Sequence, residues 1–376
     1  MSSSFKAWSH STPPFPSTLE CIPVQPPKPA DLKPNEIMVE VKAAALNPVD
    51  VQLSNLPIFR LPALKYPKGL AEDFSGTVLA KGSDVKDLQV GTEIMGMSFN
   101  PLGGPLTHAL SQVAVFDMSR TCAIPKPPQL SFAQAASLPL VWLTAITCLS
   151  PPYTLLPKSA NPDPTSPASH EKQPTIVVLG GSSGVGVYAV QYAARKQHFK
   201  VIATCSGRNA EFVKSLGADT VIDYTTENVA QRLAELRPAE GYLTIVDCVG
   251  GKELPSICHT LLHPRNADLP LGGSYTTIVG DKTSRSAMGG SITNYFYPAQ
   301  ALRSFWGWLG WGPRYACIML DGRREFLEEC ERLVKDGKLE VVIDSEWGWD
   351  EVPQAYEKLN SGRARGKIVV KVKPDA

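Results

Sequence analysis

The stretch Thr175-Ile176-Val177-Val178-Leu179-Gly180-Gly181-Ser182-Ser183-Gly184-Val185-Gly186 places an apolar strand directly before a glycine-rich turn that opens a helix. Glycines let the backbone turn sharply and approach phosphates closely, and the N–H groups at the start of a helix attract negative charge. A second apolar strand, Val201-Ile202-Ala203-Thr204, follows at the spacing of a βαβ unit. The stretch therefore predicts a site for a dinucleotide pyrophosphate, with a glycine turn that binds no ligand as the alternative.

The residues after Thr204 indicate which dinucleotide is expected. NAD-binding proteins usually carry an Asp or Glu at the end of this strand, where it bonds the ribose 2′-hydroxyl, but here the chain continues as Cys205-Ser206-Gly207-Arg208-Asn209. Ser206 can donate a hydrogen bond, and Arg208 offers the fork of charged donors that suits a 2′-phosphate. The sequence therefore predicts NADPH as the cofactor, with a merely solvent-exposed Arg208 as the alternative.

Composition limits the kind of partner. The 376 residues suffice for about two domains. Lys and Arg (37) nearly balance Asp and Glu (36), so the overall charge predicts no nucleic acid and no membrane partner. The eight cysteines are scattered without a CxxC pair, which predicts reduced thiols in a cytoplasmic protein. No secretory signal, convincing mitochondrial presequence or bilayer-spanning apolar run is visible, although a mitochondrial location stays open.

Strand-like segments separated by Gly, Asp and Pro predict a small, mostly β domain in residues 1–140, with strands at 36–45, 69–80 and 91–97. Ser131 is placed to cap a helical stretch over 131–149 that Leu138-Pro139 interrupts. The next segment, 151–174, is rich in Pro, Ser and Asn and predicts an exposed loop.

Residues 141–315 alternate strands with helices, which predicts an α/β fold with a doubly wound parallel sheet. Beyond the strand at 175, the expected strands lie at 201–204, 220–222, 244–247 and 274–279, and the expected helices at 185–197, 209–216, 227–236 and 252–262. The segment 316–376 predicts a helix at 323–336, a strand at 339–343, a helix at 352–360 and a strand at 367–372. Part of this segment is expected to return to the first domain and leave a substrate cleft between two lobes.

The aromatic run Phe305-Trp306-Gly307-Trp308-Leu309-Gly310-Trp311 has two interpretations. Aromatic side chains of this kind occur in belts at membrane interfaces, but no amphipathic basic face surrounds them here. We therefore expect them to form core or pocket wall. Trp142, Phe296 and Tyr297 are further expected walls of an apolar substrate pocket.

Several ordered blocks together resemble the medium-chain dehydrogenase/reductases, and more narrowly their zinc-free quinone-reductase-like branch. The blocks are Ala45-Leu46-Asn47-Pro48-Val49-Asp50, Asp73-Phe74-Ser75-Gly76-Thr77-Val78, Ala135-Ala136-Ser137-Leu138-Pro139, Gly180–Gly186, Leu216-Gly217-Ala218-Asp219 and Arg363–Val369. The second half looks most like the reticulon-interacting reductases, and the Pro/Ser insert looks like that of fungal trans-acting enoyl reductases. The resemblance implies a Rossmann domain plus a GroES-like, mostly β catalytic domain, and a possible homodimer that forms through the sheet edge near Ser274–Val279.

The resemblance also implies roles for single residues. Asn47 would face the nicotinamide ribose or the substrate carbonyl, or would merely cap its own turn, and Thr144 would contact the nicotinamide end or bond its own helix backbone. Residues expected to hold the cofactor lie along the turn and at the ends of later strands; they are Gly181, Ser182, Ser183, Gly184, Val185, Gly186, Ser206, Arg208, Lys214, Tyr224, Val249, Gly250, Ile278, Val279 and Lys367.

No metal site is expected. In the zinc enzymes of this superfamily a cysteine ligand stands at the position of Asn47, and the segment Gly69-Leu70-Ala71-Glu72-Asp73 lacks the usual histidine. Without a Lewis acid, the expected reaction is transfer of hydride from NADPH to a quinone or an α,β-unsaturated carbonyl compound. Glu72 and Asp73 are interpreted as either turn residues or functional ones.

The proton donor is left open. Gln52 occupies the stretch where several zinc-free relatives carry a tyrosine, and an amide cannot act as a general acid. Asp50, solvent, Tyr66 and Tyr297 are the alternatives. Two further functions stay possible: a trans-acting enoyl reductase of a polyketide pathway, which the insert favours, and a non-catalytic NADPH-binding partner or sensor protein, which the missing tyrosine favours.

Overall fold

The apolar stretch that ends at Leu179 forms a central strand of a six-stranded parallel sheet. The computed structural model describes residues 5–64, 66–158, 173–281 and 298–373. The strands of this sheet are β8 (Thr175–Leu179), β9 (Lys200–Cys205), β10 (Thr220–Asp223), β11 (Thr244–Asp247), β12 (Ser274–Thr277) and β13 (Arg314–Cys317), in the spatial order β10-β9-β8-β11-β12-β13. The strand order reverses direction next to β8, so the glycine turn after β8 lies at the switch point of the sheet.

Both faces of this sheet are covered. Ile176 and Val178 of β8 pack into one core, and Val177 and Leu179 pack into another on the opposite face. The covering helices are α3 (Pro139–Cys148), α4 (Gly186–Gln191), α5 (Ala210–Ser215), α6 (Val229–Glu235), α7 (Glu253–Leu261), α8 (Pro298–Leu309) and α9 (Arg324–Lys335). The predicted doubly wound α/β fold is confirmed.

A second sheet of seven strands forms the other lobe. Its strands are β3 (Glu36–Leu46), β4 (Asp73–Lys81), β5 (Glu93–Ser98), β6 (Val113–Asp117), β7 (Thr121–Pro125), β14 (Ile343–Trp347) and β15 (Lys367–Lys371), in the order β14-β15-β3-β4-β5-β7 with β6 also on β3. The hairpin of β1 (Phe5–His10) and β2 (Leu19–Val24) and the helices α1 (Pro48–Ser54), α2 (Phe132–Ala136) and α10 (Val352–Asn360) complete it. Because β15 pairs with β3, the chain end lies beside the first lobe.

The predicted break in the helical stretch over 131–149 is confirmed. Ser131 accepts a hydrogen bond from the backbone N–H of Gln134, so its hydroxyl caps α2. Pro139 then begins α3, a position where its missing N–H costs nothing. Helix α3 is buried along nearly its whole length and lies between the two sheets.

Two sequence predictions in the second half are wrong. Residues 339–342 are not a strand, because the N–H of Glu340 bonds the side chain of Gln191 and that of Val342 bonds the hydroxyl of Tyr188, and the strand begins only at Ile343. The sheet edge is also β13 and not the segment near Ser274–Val279, since β12 has neighbours on both sides.

The aromatic predictions need correction as well. Trp142 is fully buried in the core, where its indole N–H donates to the carbonyl of Phe326, so it cannot line an open pocket. Trp308 and Trp311 are instead 78% and 75% exposed, because the side of α8 turned to β13 carries Arg303 and Gly307. Phe296 and Tyr297 lie outside the described residues. None of the helices in the described ranges is long and apolar enough to cross a membrane.

Candidate functional site

The backbone of the glycine-rich turn leaves no room for a side chain at several of its glycines. Gly180 has a φ of +83°, which favours glycine, and a Cβ atom at Gly186 would lie 2.1 Å from the carbonyl oxygen of Gly180. A Cβ at Gly181 would press against Ala203 and Val213 at 3.0 Å. Ser182, Ser183 and Gly184 stay partly exposed at the carboxyl end of β8. The turn thus presents bare backbone at a helix start, which suits a pyrophosphate.

The segment after β9 lies beside this turn. The side-chain amide of Asn209 is 3.3 Å from the hydroxyl oxygens of both Ser182 and Ser206, so it links the two segments. Arg208 is exposed in the short 3₁₀ turn Gly207–Asn209, which follows Ser206. The structure therefore brings Ser206 and Arg208 to the side of the turn where a dinucleotide ribose is expected.

Two other predicted cofactor residues sit at the edge of this region. Lys214 donates to Glu211 on the surface of α5 at 3.0 Å, and Tyr224 is 43% exposed after β10. Asp223, at the end of β10, binds the N–H and hydroxyl of Thr225, and these hydrogen bonds lower the pKa of its carboxyl group. The structure places Lys214 and Tyr224 near the segment after β9, where the N–H of Tyr224 donates to the carbonyl oxygen of Cys205.

The predicted nicotinamide contacts lie at the carboxyl ends of β11 and β12. The N–H groups of Val249 and Gly250 both donate to Oδ1 of Asp247, at 2.9 and 2.8 Å, so this buried carboxylate shapes the turn after β11. Ile278 and Val279 follow β12 and are partly exposed. These four residues and the glycine turn all lie at the carboxyl ends of neighbouring parallel strands.

Lys367, the first residue of β15, joins the two lobes. Its ammonium donates to the carbonyl oxygen of Leu46 and lies 3.0 Å from Oδ2 of Asp73, and it also bonds Oδ1 of Asn47. The preceding N–H, of Gly366, donates to the carbonyl oxygen of Ser182 at 3.3 Å. The start of β15 therefore touches both the glycine turn and the buried polar groups of the other lobe.

Asp73 is the centre of these buried polar groups. Oδ1 accepts the N–H of Leu140 at 2.8 Å, which satisfies a free donor at the start of α3. Oδ2 accepts the side-chain amide of Asn47 at 2.9 Å and faces Lys367. Burial raises the pKa of Asp73, and Lys367 and Asn47 oppose that rise because they stabilise the ionised form.

Asn47 and Asp50 flank the start of α1. Asn47 is 1% exposed, and its amide is engaged by Asp73 and Lys367. Asp50 accepts the backbone N–H of Asn47 at 2.8 Å through Oδ2. Burial raises the pKa of Asp50 to about 7, although the hydrogen bond from Asn47 and the charge of Lys367 lower it. Asp50 therefore holds a proton for a substantial part of the time near neutral pH.

Thr144 bonds its own helix backbone, which is one of the two roles expected for it. It is 6% exposed, and its hydroxyl donates to the carbonyl oxygen of Leu140 within α3 at 2.7 Å. Tyr66, one of the alternative proton donors, donates to the carbonyl of Leu102 and is partly exposed. Contact of Thr144 with the cofactor stays a prediction.

Comparison with known proteins matches the chain over most of its length. The models of the alcohol dehydrogenase GroES-like domain and the zinc-binding dehydrogenase family match residues 33–121 and 216–370. A mitochondrial NAD(P)H oxidoreductase of Mus musculus is 32% identical, over 90% of this chain and 82% of the relative. A chloroplast envelope quinone oxidoreductase homolog of Arabidopsis thaliana is also 32% identical, over 94% and 93% of the two chains. The chain belongs to the quinone-reductase-like branch of the medium-chain dehydrogenase/reductase superfamily.

Other members of the superfamily show the same similarity. A trans-enoyl reductase of Aspergillus terreus is 30% identical over 91% of this chain and 88% of its own length. The solved quinone oxidoreductase of Coxiella burnetii superposes with a TM-score of 0.74 and 26% identity, covering 98% of this chain and all of that one. The GroES-like and Rossmann lobes are those of the superfamily, and membership places the chain among oxidoreductases.

The name of the zinc-binding dehydrogenase family raises the question of whether this chain can hold zinc. Catalytic zinc sites use about three Cys, His, Asp or Glu ligands with an open position. Here Asn47 stands where the zinc enzymes carry a cysteine ligand, and the segment from Gly69 to Asp73 lacks their histidine. The described residues contain no group of three or more His, Cys, Asp or Glu arranged to hold a metal ion. The donor set does not fit zinc.

Sequence reasoning missed one residue of the site, Tyr356, and left the roles of Glu72 and Asp73 open. Tyr356 of α10 is fully buried, and its hydroxyl has no hydrogen-bond partner within the described parts of the chain. Asp50 and Glu72 add to the burial that raises its pKa, which places it close to both. No local motif marks Tyr356, because only the packing of α10 against the first lobe brings it there. The adjacent acids Glu72 and Asp73 were the feature of the sequence that could have indicated a buried cluster of carboxyl groups here.

Proposed function

We propose that the protein is an NADPH-dependent oxidoreductase that transfers hydride to a quinone or an α,β-unsaturated carbonyl compound. The observation that carries this proposal is the contact between Gly366 and Ser182, which sets the glycine turn against the buried Lys367 cluster of the other lobe. A dinucleotide on the turn would place its reactive end in the cleft between the lobes. Relatives named NAD(P)H oxidoreductase, quinone oxidoreductase and trans-enoyl reductase support the reaction class.

The residues divide into a phosphate end and a reactive end. Gly181–Gly186 would receive the pyrophosphate, and Ser206 and Arg208 would bind the 2′-phosphate with charge-assisted hydrogen bonds. Val249, Gly250, Ile278 and Val279 would line the nicotinamide at the ends of β11 and β12. NADPH supplies the hydride when bound, and the protein supplies orientation and exclusion of water.

The proton that completes the reduction would come from Asp50. Its carboxyl group is protonated for much of the time near neutral pH and lies next to Asn47, at the start of α1. An acid with a pKa near the working pH transfers protons most effectively. Asn47 and Lys367 would hold Asp50 and Asp73 in place and present a fixed positive charge toward the cleft. No zinc is part of this proposal, since the donor set does not fit it.

An enoyl group on a carrier protein is a second candidate acceptor, which the similarity to the trans-enoyl reductase of Aspergillus terreus favours. A small-molecule partner, a homodimer and a cytoplasmic location complete the proposal. Relatives assigned to mitochondria and to the chloroplast envelope keep other compartments open.

The test is a titration of the purified protein with NADPH and NADH, followed by oxidation assays with a panel of quinones, enones and enoyl thioesters. Tighter binding of NADPH with oxidation by at least one class supports the proposal and identifies the acceptor. Binding without oxidation by any acceptor, free or carrier-bound, would instead support the cofactor-binding partner or sensor protein.

A further inference from the structure

Glu72, the residue before β4, is a buried carboxyl group without a part in the proposed reaction. Its side chain is 3% exposed, and its Oε2 has no hydrogen-bond partner in the described ranges. Oδ1 of Asp50, which is 4% exposed, likewise has none there. Leaving a buried polar atom without a partner costs about 1–3 kcal/mol. The fold therefore retains two such atoms at a substantial cost in stability.

The two carboxyl groups line the same cavity. Its volume is about 20 Å³, and Leu53 and Pro101, both partly exposed, form part of its wall. A space of this size admits one water molecule. A water there would lie between the two carboxyl groups and near the outer wall, so it can relay a proton between them.

Three basic side chains, His10, Lys68 and His108, also line the cavity. Burial lowers the pKa values of His10 and His108 to about 4, so both imidazoles are neutral near pH 7. The ammonium of Lys68 donates to the carbonyl of Tyr66 and lies 4.3 Å from the centre of its ring, and burial lowers its pKa. These three residues come from β1 and the two loops that pack on the cavity.

The groups on the remaining elements add one cation and one acid. Lys367 forms its ion pair with Asp73, and its charge only partly opposes the burial that raises the pKa values of Asp50 and Glu72. Tyr356 stays a neutral hydroxyl, because burial and both acids raise its pKa. Two buried carboxylates that share one site cannot both ionise readily, and they titrate as a pair. At least one proton is therefore held by Asp50 and Glu72 together.

We propose that Glu72 and Asp50 share a proton across this cavity and that Glu72 reloads Asp50 after each turnover, which makes Glu72 a positioning residue for proton transfer. This inference rests on the proposed function. Asp50 loses its O–H bond when the reduced substrate takes the proton. The O–H bond of Glu72 then breaks, its proton passes through the cavity, and a new O–H bond forms on Asp50. Glu72 regains a proton from solvent, and no electrons move in the relay.

The test uses the full-length protein with Glu72→Gln, which keeps the shape and removes the exchangeable acid. Its matched control is Glu93→Gln, a change of the half-exposed first residue of β5. We expect Glu72→Gln to lower kcat on the order of tenfold near neutral pH and to move the alkaline limb of the pH profile. This loss is smaller than the roughly 10²–10⁴-fold typical of removing a direct general acid, because Asp50 is still present. The Kd for NADPH should not change, and Glu72→Asp should restore part of kcat. A Glu72→Gln profile that matches the wild type would overturn the proposal.

A spectroscopic measurement separates failure of this inference from failure of the proposed function. Infrared spectroscopy at neutral pH should show a protonated-carboxyl band that changes in Glu72→Gln and in Asp50→Asn and stays in Glu93→Gln. A wild-type protein without this band overturns the proton sharing even if it reduces an acceptor. A protein that shows the band and reduces no acceptor loses the proposed function while the shared proton stands. Thermal melting of each variant shows that it folds.

Discussion

The ammonium of Lys367 lies 3.0 Å from Oδ2 of Asp73, and this ion pair ties β15 to β4 with both side chains almost completely buried. One residue earlier, Gly366 donates to the glycine turn of the Rossmann lobe. The pair therefore helps to hold the lobe of the seven-stranded sheet against the turn on which we place the cofactor.

Lys367→Met should destabilise the protein and abolish turnover. The change leaves Asp73 as a buried charge without its cation, which typically costs about 3–5 kcal/mol of the free energy of unfolding. The matched control is Lys371→Met in the same strand, whose ion pair with Glu346 is more than one-third exposed and should contribute little. Chemical denaturation of both variants checks this. Equal stability losses in the two variants would refute the structural role of Lys367.

Arg208→Ala should bind NADPH and NADH with nearly equal affinity, whereas the wild type should prefer NADPH. Loss of a charge-assisted hydrogen bond to the 2′-phosphate is worth about 1.5–3 kcal/mol, so the Kd for NADPH should rise by roughly ten- to hundredfold while that for NADH stays the same. Arg232→Ala is the control, since Arg232 is paired with Glu227 and Glu235 on the surface of α6 and has no expected part in the cofactor site. Titration by fluorescence measures both cofactors. An equal loss for NADPH and NADH would place Arg208 away from the phosphate.

Asp50 should make both stability and activity depend on pH. The pKa of Asp50 is about 7 in the folded protein, compared with the ordinary value of 3.8 expected in the unfolded chain. The folded protein therefore binds this proton more tightly. The resulting contribution to the free energy of unfolding is complete below about pH 4 and is lost as the pH rises through about 7. The free energy of unfolding of Asp50→Asn should therefore increase relative to that of the wild type as the pH rises. As the proton donor, Asp50 should also make kcat fall above pH of about 7. Denaturation and kinetics across pH test both, and wild-type curves parallel to those of Asp50→Asn would contradict them.

Trp142 and Trp308 should respond in opposite ways to truncation. Trp142→Ala empties a fully buried site and breaks the bond to Phe326, so a loss of about 3–5 kcal/mol is expected. Trp308 is 78% exposed, and its change to Ala should stay within about 0.5 kcal/mol. Thermal unfolding of the two variants distinguishes them. A large loss at Trp308 would show that its ring is covered in solution.

The sequence was sufficient for features that depend on local chemistry. The glycine turn, the capped helix after Ser131 and the alternation of strands and helices each follow from backbone conformation or burial period, and the structure has them where they were expected. Family resemblance then supplied the two-lobed fold. Roles of the individual site residues stay predictions.

What the sequence could not give depends on contacts between distant segments. The cluster of Asn47, Asp73 and Lys367 joins residues about 300 positions apart, and no periodicity records that distance. The same limit explains the errors. Residues 339–342 look like a strand by composition, but the side chains of Gln191 and Tyr188 take their N–H groups, and Trp308 looks like core although Gly307 and Arg303 occupy the inner side of its helix.

The most direct test of the central claim uses NADPH that carries deuterium at both C4 positions, so that either face delivers the label. Its reaction with an enone or enoyl thioester is followed by location of the label in the product. Our account predicts one deuterium on the β-carbon and a proton from solvent on the neighbouring α-carbon. Oxidation of labelled NADPH that leaves the β-carbon free of deuterium, or no reduction of any enone, enoyl thioester or quinone, would contradict it.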